Sequence, residues 1–308
     1  PSAQDGSKGA SYMKKILILG ATGFLGMNLV EYLKRSSKAY ELYTPSHREL
    51  DLMDGDKVAQ YLKKGQFDVV VNAAICNHYR PGTPVDADEL EHDLRMFFHL
   101  EQCQQFYGKM LYFGSGAEFN KAKPICMVRE DQFENGLPNS AYGLAKYTIG
   151  RFIEKSDNIY NLRIFGLFGK YENWKKTFVS NACCKALKGL PITIRQNLIL
   201  DYMHIDDFVP VVEWFFDAKP RYHTYNLSSG RRTDLLGIAK AIKEEAKVEV
   251  PIYVCLPGMG NEYSGDNSRI LAECDCFHVA SMQEAIDKLL QYYRSILEEI
   301  DMLSLLYQ

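Results

Sequence analysis

Apolar residues in the first half of the chain fall into two alternating rhythms. Ile16-Leu17-Ile18-Leu19 is an unbroken apolar run ending in glycine, the pattern of a parallel strand buried on both faces. From Phe24 to Arg35 the rhythm changes, and Leu25, Leu29 and Leu33 share one helical face. The alternation then repeats. It predicts strands at Glu41–Tyr43, Asp68–Val71, Met110–Phe113 and Asn158–Phe165. Between them it predicts helices at Asp56–Lys63, Asp88–Tyr107 and Ser140–Glu154, the last with Ser140 as its N-cap. Repeated strand–helix units imply an α/β fold, a Rossmann-type doubly wound parallel sheet.

Beyond Gly169 the pattern is less regular. Helical spacing recurs at Lys175–Lys188, Asp206–Phe216, Asp234–Ala246 and from Ser281 to Leu305, with short strands at Pro191–Arg195 and Asn197–Met203. We therefore expect residues 13–168 to form the doubly wound domain, and the turn Gly20-x-x-Gly23-x-x-Gly26 between its first strand and helix marks it as NAD(P)-binding. Residues 169–308 are expected to form mainly a smaller C-terminal substrate lobe, with segments returning to the core. Residues 1–12 are small and polar and read as an expression-tag remnant.

Composition narrows the function. Of 308 residues, 46% are hydrophobic and 24% charged, with a net charge of -3, as in an ordinary soluble globular protein. That charge gives no reason to expect nucleic acid or an anionic membrane as partner, and no apolar run has the length of a membrane span. The eight cysteines contain no CxxC; Cys183-Cys184 and Cys274-x-Cys276 read as reduced thiols, which points to a cytoplasmic protein without disulfides. The seven histidines show no metal-ligand spacing, so no metal is expected, and His204 reads as a packing residue.

The candidate chemistry lies at strand ends. Gly20-x-x-Gly23-x-x-Gly26 follows a strand and opens a helix, the setting in which backbone N–H groups and the helix dipole hold a pyrophosphate. Gly20, Thr22, Gly23, Phe24, Leu25 and Gly26 are thus the expected cofactor cradle. After the second strand, where NAD-specific sites carry an acid, the loop offers His47 and Arg48, which suits the 2′-phosphate of NADP (as NADPH); NAD is the alternative. Asp51 and Leu52 are expected beside the adenine, and the small Asn72-Ala73-Ala74 lets the cofactor pass. Tyr142 and Lys146 lie at i and i+4, on one helical face, where an ammonium makes a phenol more acidic. Ser115 ends the preceding strand, within reach of the same pocket. A proton-transfer couple on a nicotinamide-binding scaffold reads as hydride chemistry at a carbinol or carbonyl carbon.

Together, Gly20-Ala-Thr-Gly-Phe-Leu-Gly26, Asn72-Ala-Ala74, Ser115, Tyr142-x-x-x-Lys146 and Asp201-Tyr-Met-His-Ile-Asp-Asp207 resemble the extended short-chain dehydrogenase/reductases. The resemblance is to the NAD-dependent epimerase/dehydratase branch that acts on nucleotide sugars. The segment His47-Arg-Glu-Leu-Asp-Leu52 is similar to that of the GDP-fucose synthase and dTDP-4-dehydrorhamnose reductase groups. The resemblance implies Ser115, Tyr142 and Lys146 as catalytic residues, with Lys146 holding the nicotinamide ribose.

Departures refine this. Gly116 and Ala117 stand where 4,6-dehydratases carry Asp-Glu. Ala117 also replaces the cysteine of the fucose synthases, and Phe178 lies near the place of their histidine. Leu200 and Gly166 replace a customary Arg and Asn, so Lys185, Arg195 or Arg269, together with Phe178, are the expected substrate contacts. The expected reaction is NAD(P)H-dependent reduction of a 4-keto sugar nucleotide. The alternative is a 4-epimerase with tightly bound NAD, and a non-catalytic cofactor sensor is a third reading. A homodimer is expected through the helix before Met110 and the Tyr-Lys helix, where Leu94, Phe97, Phe98 and Phe106 lie.

Overall fold

The computed structural model describes residues 13–76, 88–133 and 136–306. Residues 1–12, read above as a tag remnant, lie outside these. Six strands form the main sheet: β1 (Lys14–Leu19), β2 (Tyr40–Tyr43), β3 (Phe67–Asn72), β4 (Tyr107–Ser115), β6 (Ile159–Ile164) and β11 (Thr224–Leu227). Their order is β11-β6-β4-β3-β1-β2, and every pairing is parallel. The chain thus runs outward from β1 in one direction through β2 and returns through β3 to the other side, the doubly wound arrangement.

Successive side chains point to opposite faces, which divides the core in two. Ile16, Ile18, Val69, Val71, Leu111 and Leu162 meet Leu29 and Leu33 of α1 (Phe24–Arg35), and Phe208, Val212 and Phe215 of α6 (Ile205–Asp217). On the other face Leu17, Leu19, Val70, Met110 and Tyr112 meet α2 (Gly55–Gly65), α3 (Glu89–Glu101) and α4 (Ala141–Ile153) through Val58, Leu62, Phe97, Leu100, Ile149 and Ile153. Ser140 caps α4 as expected, its hydroxyl accepting from the Gly143 amide at 3.1 Å.

Three helices are markedly shorter than the periodicity implies; the predicted Lys175–Lys188 is helical over Phe178–Leu187. The predicted helix Asp88–Tyr107 ends at Glu101, and a single 3₁₀ turn, Gln104–Phe106, leads into β4. Here Tyr107 pairs with Phe67 in the sheet while its phenol donates to the Leu100 carbonyl at 3.1 Å. The carboxyl-terminal helix breaks between α9 (Met282–Ser295) and α10 (Met302–Leu306), where the Asp301 carboxylate accepts from the Ser304 amide.

The remaining strands build three small sheets. β5 (Ile125–Val128), β9 (Ile199–Leu200), β12 (Thr233–Asp234) and β14 (Tyr263–Gly265) form one in the order β12-β9-β14-β5. β7 (Gly166–Phe168) pairs with β10 (Tyr202–His204), and β8 (Ile192–Asn197) with β13 (Ile252–Met259). A separate core joins α5 (Phe178–Leu187), α7 (Leu235–Ala246) and α9 through Cys183, Ile238, Ile242, Ile286 and Leu290. The short α8 (Ser268–Leu271) packs on β11. All eight cysteines are free. Among the described residues there is no group of three or more His, Cys, Asp or Glu placed to hold a metal ion. No helix among them is long and apolar enough to cross a membrane.

Candidate active site

The turn after β1 has the shape its glycines imply. Gly20 adopts φ +76°, and a Cβ there would lie 2.7 Å from the Ala73 backbone. A Cβ on Gly26 would lie 2.3 Å from the Gly20 carbonyl, so α1 packs against the turn more closely than any side chain permits. Gly23 differs. It is the N-cap of α1, exposed, and a Cβ there would make only an ordinary 3.4 Å contact. Two glycines shape the turn, and the third keeps the approach to the helix N-terminus open. That cradle fits a dinucleotide pyrophosphate, with the first N–H groups of α1, at Phe24 and Leu25, and the exposed Thr22 to hold it.

Neighbouring strand ends extend the cradle. Ala73 donates to the Leu19 carbonyl at 3.1 Å, and Asn72 Oδ1 accepts from Ala74 at 3.2 Å, which fixes the small-residue segment against Gly20. After β2, His47 and Arg48 are exposed, with His47 Nδ1 3.7 Å from Asp51 Oδ1. Leu52 is buried, and its carbonyl contacts the His99 ring at 2.8 Å.

Lys146 is the most constrained of the catalytic candidates. It is 2% exposed, its ammonium donates to the Phe113 carbonyl at 3.0 Å, and it lies 4.4 Å from the Tyr112 ring centre and 5.6 Å from that of Tyr142. Burial pushes its pKa down to about 8, against the opposing pull of Asp93, Glu118 and Glu89. Asp93 is itself buried on α3, where one carboxylate oxygen accepts from the Cys76 amide at 2.7 Å. Ser115 ends β4, and its hydroxyl accepts from Ala117 N–H at 3.1 Å. The first turn of α4 rests on that same bend: a Cβ on Gly143 would lie 2.7 Å from the Ala117 carbonyl. Ser115 and the Tyr142–Lys146 couple are thereby brought to one place at the carboxyl end of β4.

A buried ion pair braces this bend, and sequence reading missed it. Glu118 and Arg163 are 0% and 1% exposed, joined by Nε and Nη2 bonds of 2.9 and 2.7 Å. Asn161 donates to the same carboxylate at 3.0 Å, and the Ser115 amide at 3.3 Å. Gly114 and Gly150 leave room for it, since a Cβ on either would lie 2.5 Å from a Glu118 oxygen. The signal was a lone Arg inside an apolar strand, but only the sheet order supplies its partner.

The expected substrate contacts are scattered. Lys185 is buried in the lobe, where it donates to Thr193 Oγ1 at 2.8 Å. Arg195 is exposed on β8, and Phe178 begins α5 against the lobe core. Arg269 bonds the Thr224 carbonyl at 2.9 Å and lies over Tyr222, at the amino end of β11 and away from the catalytic edge. His204 is a packing residue: it caps α6, lies edge-on to Phe168, and burial depresses its pKa to about 4. Two open clefts, of about 770 Å³ beside Asp54 and His99 and about 470 Å³ beside Asn28 and Tyr32, hold none of Ser115, Tyr142 and Lys146. Ser115 and Lys146 lie with the glycine turn at the carboxyl ends of the sheet strands, the edge at which ligands bind in open α/β sheets.

Comparison with known proteins bears on this geometry. The description "NAD dependent epimerase/dehydratase family" matches residues 16–228. The chain belongs to the NAD-dependent epimerase/dehydratase family. It is similar to the ADP-L-glycero-D-manno-heptose-6-epimerase of Brachyspira hyodysenteriae, at 24% identity over 79% of this chain and 84% of that protein. Among solved structures it resembles GDP-L-fucose synthetase from Naegleria fowleri bound to NADP, with TM-score 0.78 and 17% identity over 94% of this chain and 96% of that one. It also resembles the GDP-mannoheptose C4 reductase of Campylobacter jejuni with NADP bound, with TM-score 0.76 and 18% identity over 93% of this chain and the whole of that one. At these identities the solved structures speak for the fold. Family membership makes the chain an enzyme of the NAD(P)-dependent epimerase/dehydratase type.

Proposed function

We propose that this enzyme reduces a 4-keto sugar nucleotide with NADPH. The observation that carries the reading is the buried Lys146 beside Tyr142, on a helix whose first turn packs onto the bend that follows Ser115. A nicotinamide held by the glycine cradle would supply the hydride for the carbonyl carbon. Tyr142 gives its phenolic proton to the carbonyl oxygen as negative charge develops there, and Ser115 donates a hydrogen bond to the same oxygen. Lys146 stabilises the phenolate left behind until solvent returns the proton. The exposed His47 and Arg48 support NADPH over NAD. Ala117, which offers neither an acid nor a thiol, supports plain reduction over elimination or epimerisation beside the ketone. The half-buried Leu94, Phe98 and Phe106 on and just after α3 support a homodimer through α3 and α4.

The test mixes the purified protein with NADPH and GDP-, dTDP-, CDP- and UDP-linked 4-keto-6-deoxy sugars, following nicotinamide absorbance. Stoichiometric oxidation with one of them is expected. No oxidation with any, together with NAD retained through purification, would replace reduction by epimerisation.

A further inference from the structure

Two cysteines away from the catalytic edge are in direct sulfur contact. Cys274 Sγ and Cys276 Sγ lie 3.1 Å apart, against the ~2.05 Å of a disulfide bond. A tight turn holds them there. The Phe277 amide donates to the Cys274 carbonyl at 3.0 Å, and the Cys274 amide to the Ile270 carbonyl at 2.9 Å. The preceding residue is anchored as well: Glu273 accepts from the Tyr225 hydroxyl at 2.9 Å and from the Arg221 amide at 3.0 Å.

The two thiols differ in access. Cys274 is 2% exposed and packs in the core with Ile270 and Phe277, whereas Cys276 is exposed, its thiol 3.9 Å from the Pro210 carbonyl of α6. Burial, and then the hydrogen bond with Cys276, keep the Cys274 thiol protonated well above the ordinary thiol range. Cys276 is therefore the sulfur that a reagent in solution meets, and Cys274 waits behind it. Cys183 and Cys184 offer no such pair, because both are buried.

We infer that Cys274-Asp275-Cys276 is a thiol–disulfide exchange site, which closes to an internal disulfide at the expense of a small-molecule disulfide such as that of glutathione. Cys276, as the thiolate, attacks one sulfur of glutathione disulfide; that S–S bond breaks, and one glutathione leaves as a thiolate that takes up a proton. Cys274 then gives up its proton and attacks Cys276 Sγ, and the second glutathione leaves in the same way. The protein loses two electrons and two protons, and glutathione disulfide gains them as two thiols. The turn follows α8, whose Arg269 bonds the amino end of β11, so this inference does not rest on the ketoreductase reading.

The test incubates the full chain with glutathione disulfide until Cys126 or Cys255, which are also exposed, carries glutathione. Alkylation in denaturant and peptide mass mapping then read the state of each cysteine. In the wild type, Cys274 and Cys276 should both be lost to alkylation as one internal disulfide and recovered with dithiothreitol. In Cys274→Ala, Cys276 should instead retain glutathione, and in Cys276→Ser the buried Cys274 should remain a thiol. Wild-type Cys276 that retains glutathione, or Cys274 and Cys276 that both stay open to alkylation, would overturn the inference.

Discussion

At the scale of single residues the decisive feature is a charge kept in a place that disfavours it. Burial lowers the Lys146 pKa to about 8, so its ammonium, 5.6 Å from the Tyr142 ring centre, is present below that pH and lost above it. Turnover in the reductive direction should therefore fall as pH rises through about 8, a limb read from kcat/KM against pH. Tyr142→Phe should lower kcat by about 10²-fold or more and leave NADPH binding intact, measured by fluorescence titration. The cradle glycines should separate by role. Gly23→Ala should cost about 1 kcal/mol of stability or less, as a poorer N-cap, while weakening NADPH binding by an order of magnitude. Gly20→Ala forces a side chain into a left-handed position against the Ala73 backbone and should cost more than about 2 kcal/mol. Urea melts paired with NADPH titration would tell the two apart. Much of this was legible in the sequence, because a glycine turn after an apolar run and an i, i+4 couple are local patterns. The approach of Tyr263 to Gly116 was not legible: nothing near it in the chain hints at that glycine, and only the pairing of β14 with β5 brings the two together.

At the scale of elements, the bend after β4 depends on the Glu118–Arg163 pair, which ties it to β6 and, through the 3.1 Å bond from Arg163 to Asn226, to β11. A buried pair adds little net stability but is expensive to break on one side. Arg163→Met should cost about 3–5 kcal/mol by leaving the Glu118 carboxylate buried and unpaired, and Glu118→Gln with Arg163→Met should recover much of that loss. Chemical denaturation of the three proteins would check this, and equal stability of the single and double variants would refute it. The strands and helices that flank the site follow hydrophobic rhythm and were readable to within a residue or two at α1 and α4. Elements whose fate is decided by distant partners were not. β11 is four residues of mixed polarity, and it becomes a strand because β6 offers it a parallel edge.

At the scale of the whole molecule, the main sheet is closed by residues far along the chain. α6 supplies Phe208, Val212 and Phe215 to one face, and β11 covers the β6 edge. A fragment ending at residue 168 would leave Leu111, Phe113 and Leu162 uncovered. We expect it to be insoluble or to bind a hydrophobic dye without a cooperative melt, whereas the full chain should melt cooperatively. A folded, cofactor-binding fragment would contradict this.

The two parts of the chain also meet along a seam of hydrogen bonds between β5 and the segment around β14. The Ile125 amide donates to the Glu262 carbonyl at 2.8 Å and the Asp266 amide to the Val128 carbonyl at 2.9 Å, while Ser264 Oγ accepts from the Met127 amide at 2.8 Å. Stitching of this kind acts as a weld, not a hinge. Any opening that admits or releases a ligand is then expected to leave this line closed and to use the other sides of the molecule.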